Sequence, residues 1–117
     1  MSKRQTNFLL EDIIEAIEKI QQYISGLSYQ QFVRDDKTID AVVRNFSVIG
    51  EAASQLPVAA KKKYAQIPWH QVIGLRNRVI HEYFGVDLAI VWKIIHTDLD
   101  GLRKKIRGIV SKTKTRK

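Results

Sequence analysis

The chain contains no cysteine in its 117 residues, which excludes disulfides, thiol nucleophiles and cysteine-based metal sites. That composition fits a reducing compartment. Only two prolines occur, Pro57 and Pro68, and no segment alternates apolar and polar residues long enough to make a strand. No stretch approaches the ~18 consecutive apolar residues of a membrane span. The opening segment, "MSKRQTNFLLEDIIEAIEKI", is broken by Glu11, Asp12, Glu15 and Glu18, so it is not read as a signal peptide. A cytoplasmic location is expected. Acidic residues are missing from one region in particular. Residues 103–117, "RKKIRGIVSKTKTRK", hold eight Lys/Arg and no acid, whereas residues 1–102 hold twelve of each sign. The net charge of +8 therefore belongs entirely to the C-terminal end. Regular structure is expected to fray beyond Val110, giving one helical domain over residues 1–110 and a basic tail over 111–117. The tail reads either as a solubilising terminus or as a sequence-independent contact with a polyanion such as RNA or DNA.

What remains is a soluble, helix-patterned chain with 44% hydrophobic and 27% charged residues, large enough for an ordinary core. Phe8, Leu9, Ile13, Ile17, Ile20 and Ile24 recur at helical spacing. Gly26 is a plausible stop, and Ser28 caps a short turn, "SYQQF". Asp36 or Thr38 opens a second long helix through Ile39, Val42, Phe46, Ile49, Ala53 and Leu56. "VAAKKKYAQI" reads as a short helix with a basic side, and Pro68 suits the first turn of the next helix. Gly85 closes that helix and Asp87 caps the last one, whose Leu88, Val91, Ile95, Leu99, Leu102, Ile106 and Ile109 continue over six turns. The expected fold is an all-α, antiparallel four-helix bundle with short extra helices.

Several chemistries have no motif here. His81-Glu82 begins H-E-x-x-H, but the fifth position is Gly85. No Glu stands three residues before His70, His81 or His96, so the di-iron pattern of helical bundles is missing. There is no phosphate-cradling glycine loop, no serine nucleophile motif and no carboxylate set suited to a two-metal nuclease. No cofactor and no metal site are expected.

The stretch that invites an explanation is "RNRVIHEY" at residues 76–83, inside the apolar segment "PWHQVIGLRNRVIHEYFGVD". With Val72 at zero and about 100° per residue, Arg76 falls at about 40°, near the middle of an apolar stripe. Asn77 and His81 share the edge of that stripe, Tyr83 joins Arg76, and Arg78 and Glu82 point away. A guanidinium in an apolar stripe is costly unless it is paired or faces a polar cleft. Either Arg76 snorkels or pairs with a carboxylate such as Glu51, or the stripe meets a second subunit and forms a shared site. An imidazole, a guanidinium and an amide can together cleave RNA without a metal. Histidine, with an ordinary pKa near ~6.5, serves as base in one protonation state and acid in the other. Arginine's fork stabilises charge on the phosphate. Asparagine orients either group. One protomer supplies a single such histidine, and a two-fold dimer would supply two.

These residues, in the form R-N-x-x-x-H-x-Y, resemble the signature of HEPN-domain ribonucleases, specifically the HepT-like toxins. "VVRNFSVIGEAASQL" (42–56), "IPWHQVIGLRNRVIHEYFGVDLAIVW" (67–92) and "DLDGL" (98–102) are similar to that family in order and spacing, so the resemblance spans roughly residues 8–102. It implies a homodimeric HEPN bundle, a metal-independent endoribonuclease acting on RNA, with tRNA as a candidate substrate, and a toxin of a toxin–antitoxin system. Arg76 and His81 would be the catalytic pair and Asn77 the polar residue beside them. The partner implied is a small MNT-type nucleotidyltransferase antitoxin, which would transfer AMP from ATP to Tyr83. Glu51 matches the family's "GEA" element, as a cleft partner or a bundle support. Trp69 and Trp92 read as packing anchors, and Lys61, Lys62 and Lys63 as a solvated face. Where the family commonly has proline, this chain has Asp100 or Gly101. The alternative from another class is a non-catalytic helical adaptor that presents a substrate to a nucleotidyltransferase. A basic DNA-binding bundle is a third reading, disfavoured because no recognition helix is evident.

Overall fold

The computed structural model of the chain describes residues 3–85 and 88–115, with the side chains at 76, 79–85 and 111–115 outside the described set. Seven helices follow in order: α1 (Lys3–Ile24), α2 (Tyr29–Phe32), α3 (Asp36–Gln55), α4 (Val58–Lys63), α5 (Trp69–Gly85), α6 (Leu88–Thr97) and α7 (Leu99–Thr115). No strand occurs among the described residues. The all-α bundle expected from the sequence is the observed one.

Local chemistry explains the boundaries. Helix α1 ends at Ile24, and Gly26 takes φ +81°, a left-handed conformation that costs a residue without Cβ little. Ser28 and Gln31 form a reciprocal capping box on α2: the Ser28 Oγ accepts from the Gln31 N–H at 3.1 Å, and Gln31 Oε1 accepts from the Ser28 N–H at 2.9 Å. The cap of α3 is Asp35, one residue before the expected start. Its Oδ1 accepts from the Thr38 N–H at 3.1 Å and its Oδ2 from the Thr38 hydroxyl at 2.7 Å. The expected cap Asp87 lies outside the described residues.

The single six-turn helix expected at the C-terminal end is instead two helices, α6 and α7, meeting at Asp98. The backbone ladder continues across the joint, since the Asp98 N–H donates to the Ile94 carbonyl (2.9 Å) and the Leu102 N–H to the Asp98 carbonyl (3.2 Å). The Thr97 hydroxyl donates to the Lys93 carbonyl at 2.7 Å, a back-bond that bends helices. The first half, α6, packs on α5 and the second half, α7, on α1, while α3 packs on both α1 and α5. Helix α7 also continues to Thr115, five residues past the expected fraying point at Val110.

The core is continuous. Ile13, Ile17, Ile20, Phe32, Val42, Phe46, Ile49, Leu99 and Ile106 are fully enclosed. Phe8, placed on the buried stripe by its spacing, is 53% exposed, and Leu10 and Ile14 are buried instead. At about 100° per residue Phe8 sits about 140° from Ile13, so it belongs to the outer face. There the Arg4 guanidinium lies over its ring, 5.6 Å from the centroid.

Polar ties fasten α7 to α1. Arg107 donates to Glu18 Oε2 at 2.7 Å, and Gln21 donates to Asp100 Oδ1 at 3.3 Å. Asp100 also receives Arg103 at 2.9 Å and Lys104 at 3.1 Å. Arg103 foremost, then Lys104 and Gln21, hold the Asp100 carboxyl down to about 2. The Thr38 hydroxyl and N–H likewise lower Asp35. A carboxylate with a lowered pKa in the fold contributes stability in full above its ordinary pKa, near 4, and loses it as pH falls through the lowered value. The melting temperature is therefore expected to hold from neutral pH to about 5 and to decline between about 4 and 2. Asp100→Asn should flatten part of that decline in a thermal-melt series. The effect is modest, because both carboxylates reach solvent.

Candidate functional site on helix α5

Helix α5 is docked at its first turns. Ile67, Trp69 and Val72 are buried, and the indole N–H of Trp69 donates to the Tyr64 carbonyl at 3.1 Å. The Val72 N–H donates to the Pro68 carbonyl at 3.0 Å, so Pro68 stands just before the first helical residue, where its missing N–H leaves nothing unpaired. Ile73 and Leu75 are half-buried and pack against the core. From this fixed start the helix runs unbroken to Gly85, the expected stop.

All four predicted site residues, Arg76, Asn77, His81 and Tyr83, therefore lie on one continuous helix. Its register is the geometry of the site. Arg76 is one turn beyond the buried Val72. Tyr83, seven residues further, returns to within about 20° of Arg76 after a rise of roughly 10 Å. Asn77 and His81 are four residues apart, one above the other. Asn77 and Arg78 are exposed, as expected for the stripe's edge and far side. The side chains of Arg76, His81 and Tyr83 lie outside the described residues.

The other candidates fall elsewhere. Glu51 is exposed on α3, where its Oε1 accepts from Gln55 Nε2 at 3.4 Å. Trp69 is a core anchor with its N–H satisfied. Trp92 is half-buried at the centre of an aromatic group, 5.1 Å from Phe32, 6.0 Å from Tyr29 and 4.3 Å from His96 between ring centroids. His96 Nδ1 is 2.9 Å from the Trp92 carbonyl oxygen, the distance of a hydrogen bond donated by the ring. Lys62 and Lys63 are exposed, and Lys63 Nζ lies over the Tyr64 ring at 5.5 Å. Among the described residues no three His, Asp or Glu side chains gather as a metal group, and no helix is long and apolar enough to cross a membrane.

Reading the sequence by charge alone missed one thing. Residues 103–117 look like a uniformly free cationic run, yet Arg103 and Arg107 reach Glu18 at 3.8 and 2.7 Å. The signal was available in the helical register, because Arg103 and Arg107 are four apart on one face.

Comparison with known proteins shows the family of the chain. Residues 13–109 match the family model described as "Ribonuclease HepT-like". The chain is 39% identical over 107 residues to the "Probable ribonuclease HepT" of Thermococcus cleftensis, covering 92% of this chain and 97% of that protein. It is 36% identical over 105 residues to the "Putative RNase TTE0752" of Caldanaerobacter subterraneus subsp. tengcongensis, covering 90% and 94%. It is also 33% identical over 108 residues to the "Gamma-glutamylcyclotransferase and putative RNase MJ0434" of Methanocaldococcus jannaschii, covering 92% of this chain and 49% of that longer protein. No solved structure gives a significant match.

Proposed function

Because the chain belongs to the HepT-like ribonuclease family, we propose that it is a metal-independent endoribonuclease, the toxin of a toxin–antitoxin pair, working as a homodimer. The observation that carries this reading is the R-N-x-x-x-H-x-Y order of Arg76, Asn77, His81 and Tyr83 on one unbroken helix. Two copies of α5 facing each other across a two-fold axis bring two histidines and two arginines to one phosphate.

The chemistry follows from those groups. One His81 imidazole takes the proton of a ribose 2′-OH. The 2′-oxygen attacks the adjacent phosphorus in line, and the bond from phosphorus to the 5′-oxygen breaks. The other His81, protonated, gives its proton to that leaving oxygen. Arg76 places its fork on the phosphoryl oxygens, where negative charge accumulates during attack. Asn77 holds the histidine or phosphate in orientation. The products are a 2′,3′-cyclic phosphate end and a 5′-OH end.

Tyr83 supplies the switch. An MNT-type nucleotidyltransferase antitoxin joins the tyrosine oxygen to the α-phosphorus of ATP, releasing pyrophosphate and the phenolic proton. AMP on the Arg76 side of the helix then repels and obstructs the RNA backbone. The test is incubation with such a partner and ATP, followed by peptide mass analysis and an RNA cleavage assay. The expected result is AMP on the Tyr83 peptide and loss of cleavage, with Tyr83→Phe refusing AMP and staying active in the presence of partner and ATP. Modification at another residue, or unimpaired cleavage by the modified protein, would reject the switch.

A further inference from the structure

A cleft of about 610 Å³ opens where the first turns of α1, helix α4 and the middle of α7 meet. Lys3, Lys63, Lys104 and Lys105 line it together with Tyr64 and Gly108, and among the described residues its lining holds no Asp or Glu. Lys104 is partly neutralised by Asp100 at 3.1 Å. The remaining positive field comes from Lys3, Lys63 and Lys105, contributed by three helices far apart in sequence. Like charges converging on a concave surface oppose folding, and such a surface focuses the field on an anionic ligand.

We propose that this cleft seats the phosphodiester backbone of the RNA substrate, away from the reacting phosphate. The inference rests on the ribonuclease reading of α5. A single small phosphate would call for a tight cradle, whereas this cleft is broad and presents ammonium groups on flexible stems, suited to following an irregular strand. The cleft also adjoins α5, because the Tyr64 carbonyl holds the Trp69 indole at 3.1 Å. Arg76 follows seven residues after Trp69, roughly 10 Å along the axis. The cleft therefore lies beside the first turn of the helix that carries the motif.

An added negative charge gives a controlled test. A Cβ added at Gly108 meets nothing within 4 Å, and replacing a mid-helix glycine favours the helix. Gly108→Glu and Gln22→Glu carry the same charge change, but only Gly108 lines the cleft, whereas Gln22 is exposed near the far end of α1. Binding is read by fluorescence anisotropy with a short labelled single-stranded RNA, on full-length protein carrying His81→Ala to prevent cleavage. Gly108→Glu is expected to weaken binding by about tenfold while Gln22→Glu stays within about twofold. Lys63→Gln with Lys105→Gln should lower the salt dependence of log K by about 0.7 for each lysine removed. Equal binding by the two glutamate variants, or no RNA binding by the parent protein, would overturn the proposal. Cleavage by the chain with native His81 separates the two readings. RNA bound through the cleft but left uncut keeps the cleft and removes the ribonuclease, whereas cleavage with the same KM in Gly108→Glu keeps the ribonuclease and removes the cleft.

Discussion

His81→Ala should abolish RNA cleavage while leaving the melting temperature unchanged. A positioned acid or base contributes about 10²–10⁴-fold for each proton transfer. In a homodimer the substitution removes both histidines at once, the acceptor of the 2′-OH proton and the donor to the leaving oxygen. The loss therefore belongs at the upper end of that range or beyond it. Helix α5 is anchored at its other end by Ile67, Trp69 and Val72, an anchor that alanine at 81 leaves in place. A gel assay on total RNA, paired with a thermal melt by circular dichroism, reads both quantities. Arg76→Lys is the informative companion, since it keeps the charge but loses the bidentate fork and should cut activity without erasing it. Undiminished cleavage by His81→Ala would remove the histidine from the mechanism.

The second large effect concerns the frame that carries α5. Phe46 is fully buried on α3, the helix that packs on both α1 and α5. Phe46→Ala should cost about 3–5 kcal/mol, because the missing ring leaves a cavity that three packed helices cannot collapse. Domains of this size have about 5–15 kcal/mol in total, so the variant should sit near the threshold of unfolding. Val58, 66% exposed on α4, is the control: Val58→Ala should leave the urea midpoint within experimental scatter. A Phe46→Ala midpoint equal to that of the wild type would show that α3 is not the centre of the bundle.

Much of this structure was legible in the sequence because single residues announce it. Gly26 and Ser28 mark the turn after α1 by requirements few other residues meet, and Ile13, Ile17, Ile20 and Ile24 trace one face at helical spacing. On α5 the sequence offers Arg76 at about 40° in an otherwise apolar stripe, a weak signal by spacing alone, and the side chains of Arg76, His81 and Tyr83 lie outside the described residues. What was not legible depends on tertiary partners. The break at Asp98 accompanies a Thr97 hydroxyl bonded to the Lys93 carbonyl and a change of packing partner from α5 to α1. Asp35 and Asp36 are both good caps, and only the geometry of Thr38 selects Asp35. The lysine cleft joins residues as distant as Lys3 and Lys105, which no local pattern connects.

The most direct measurement is cleavage of total RNA and tRNA by the purified protein in EDTA, after intact mass has shown Tyr83 free of AMP, with the chemistry of the new ends determined. Cleavage that leaves 2′,3′-cyclic phosphate and 5′-OH ends is the predicted result. Intact RNA, or cleavage that requires added divalent metal, would contradict it; intact RNA would leave the bundle as an adaptor with Arg76 as a structural charge on α5.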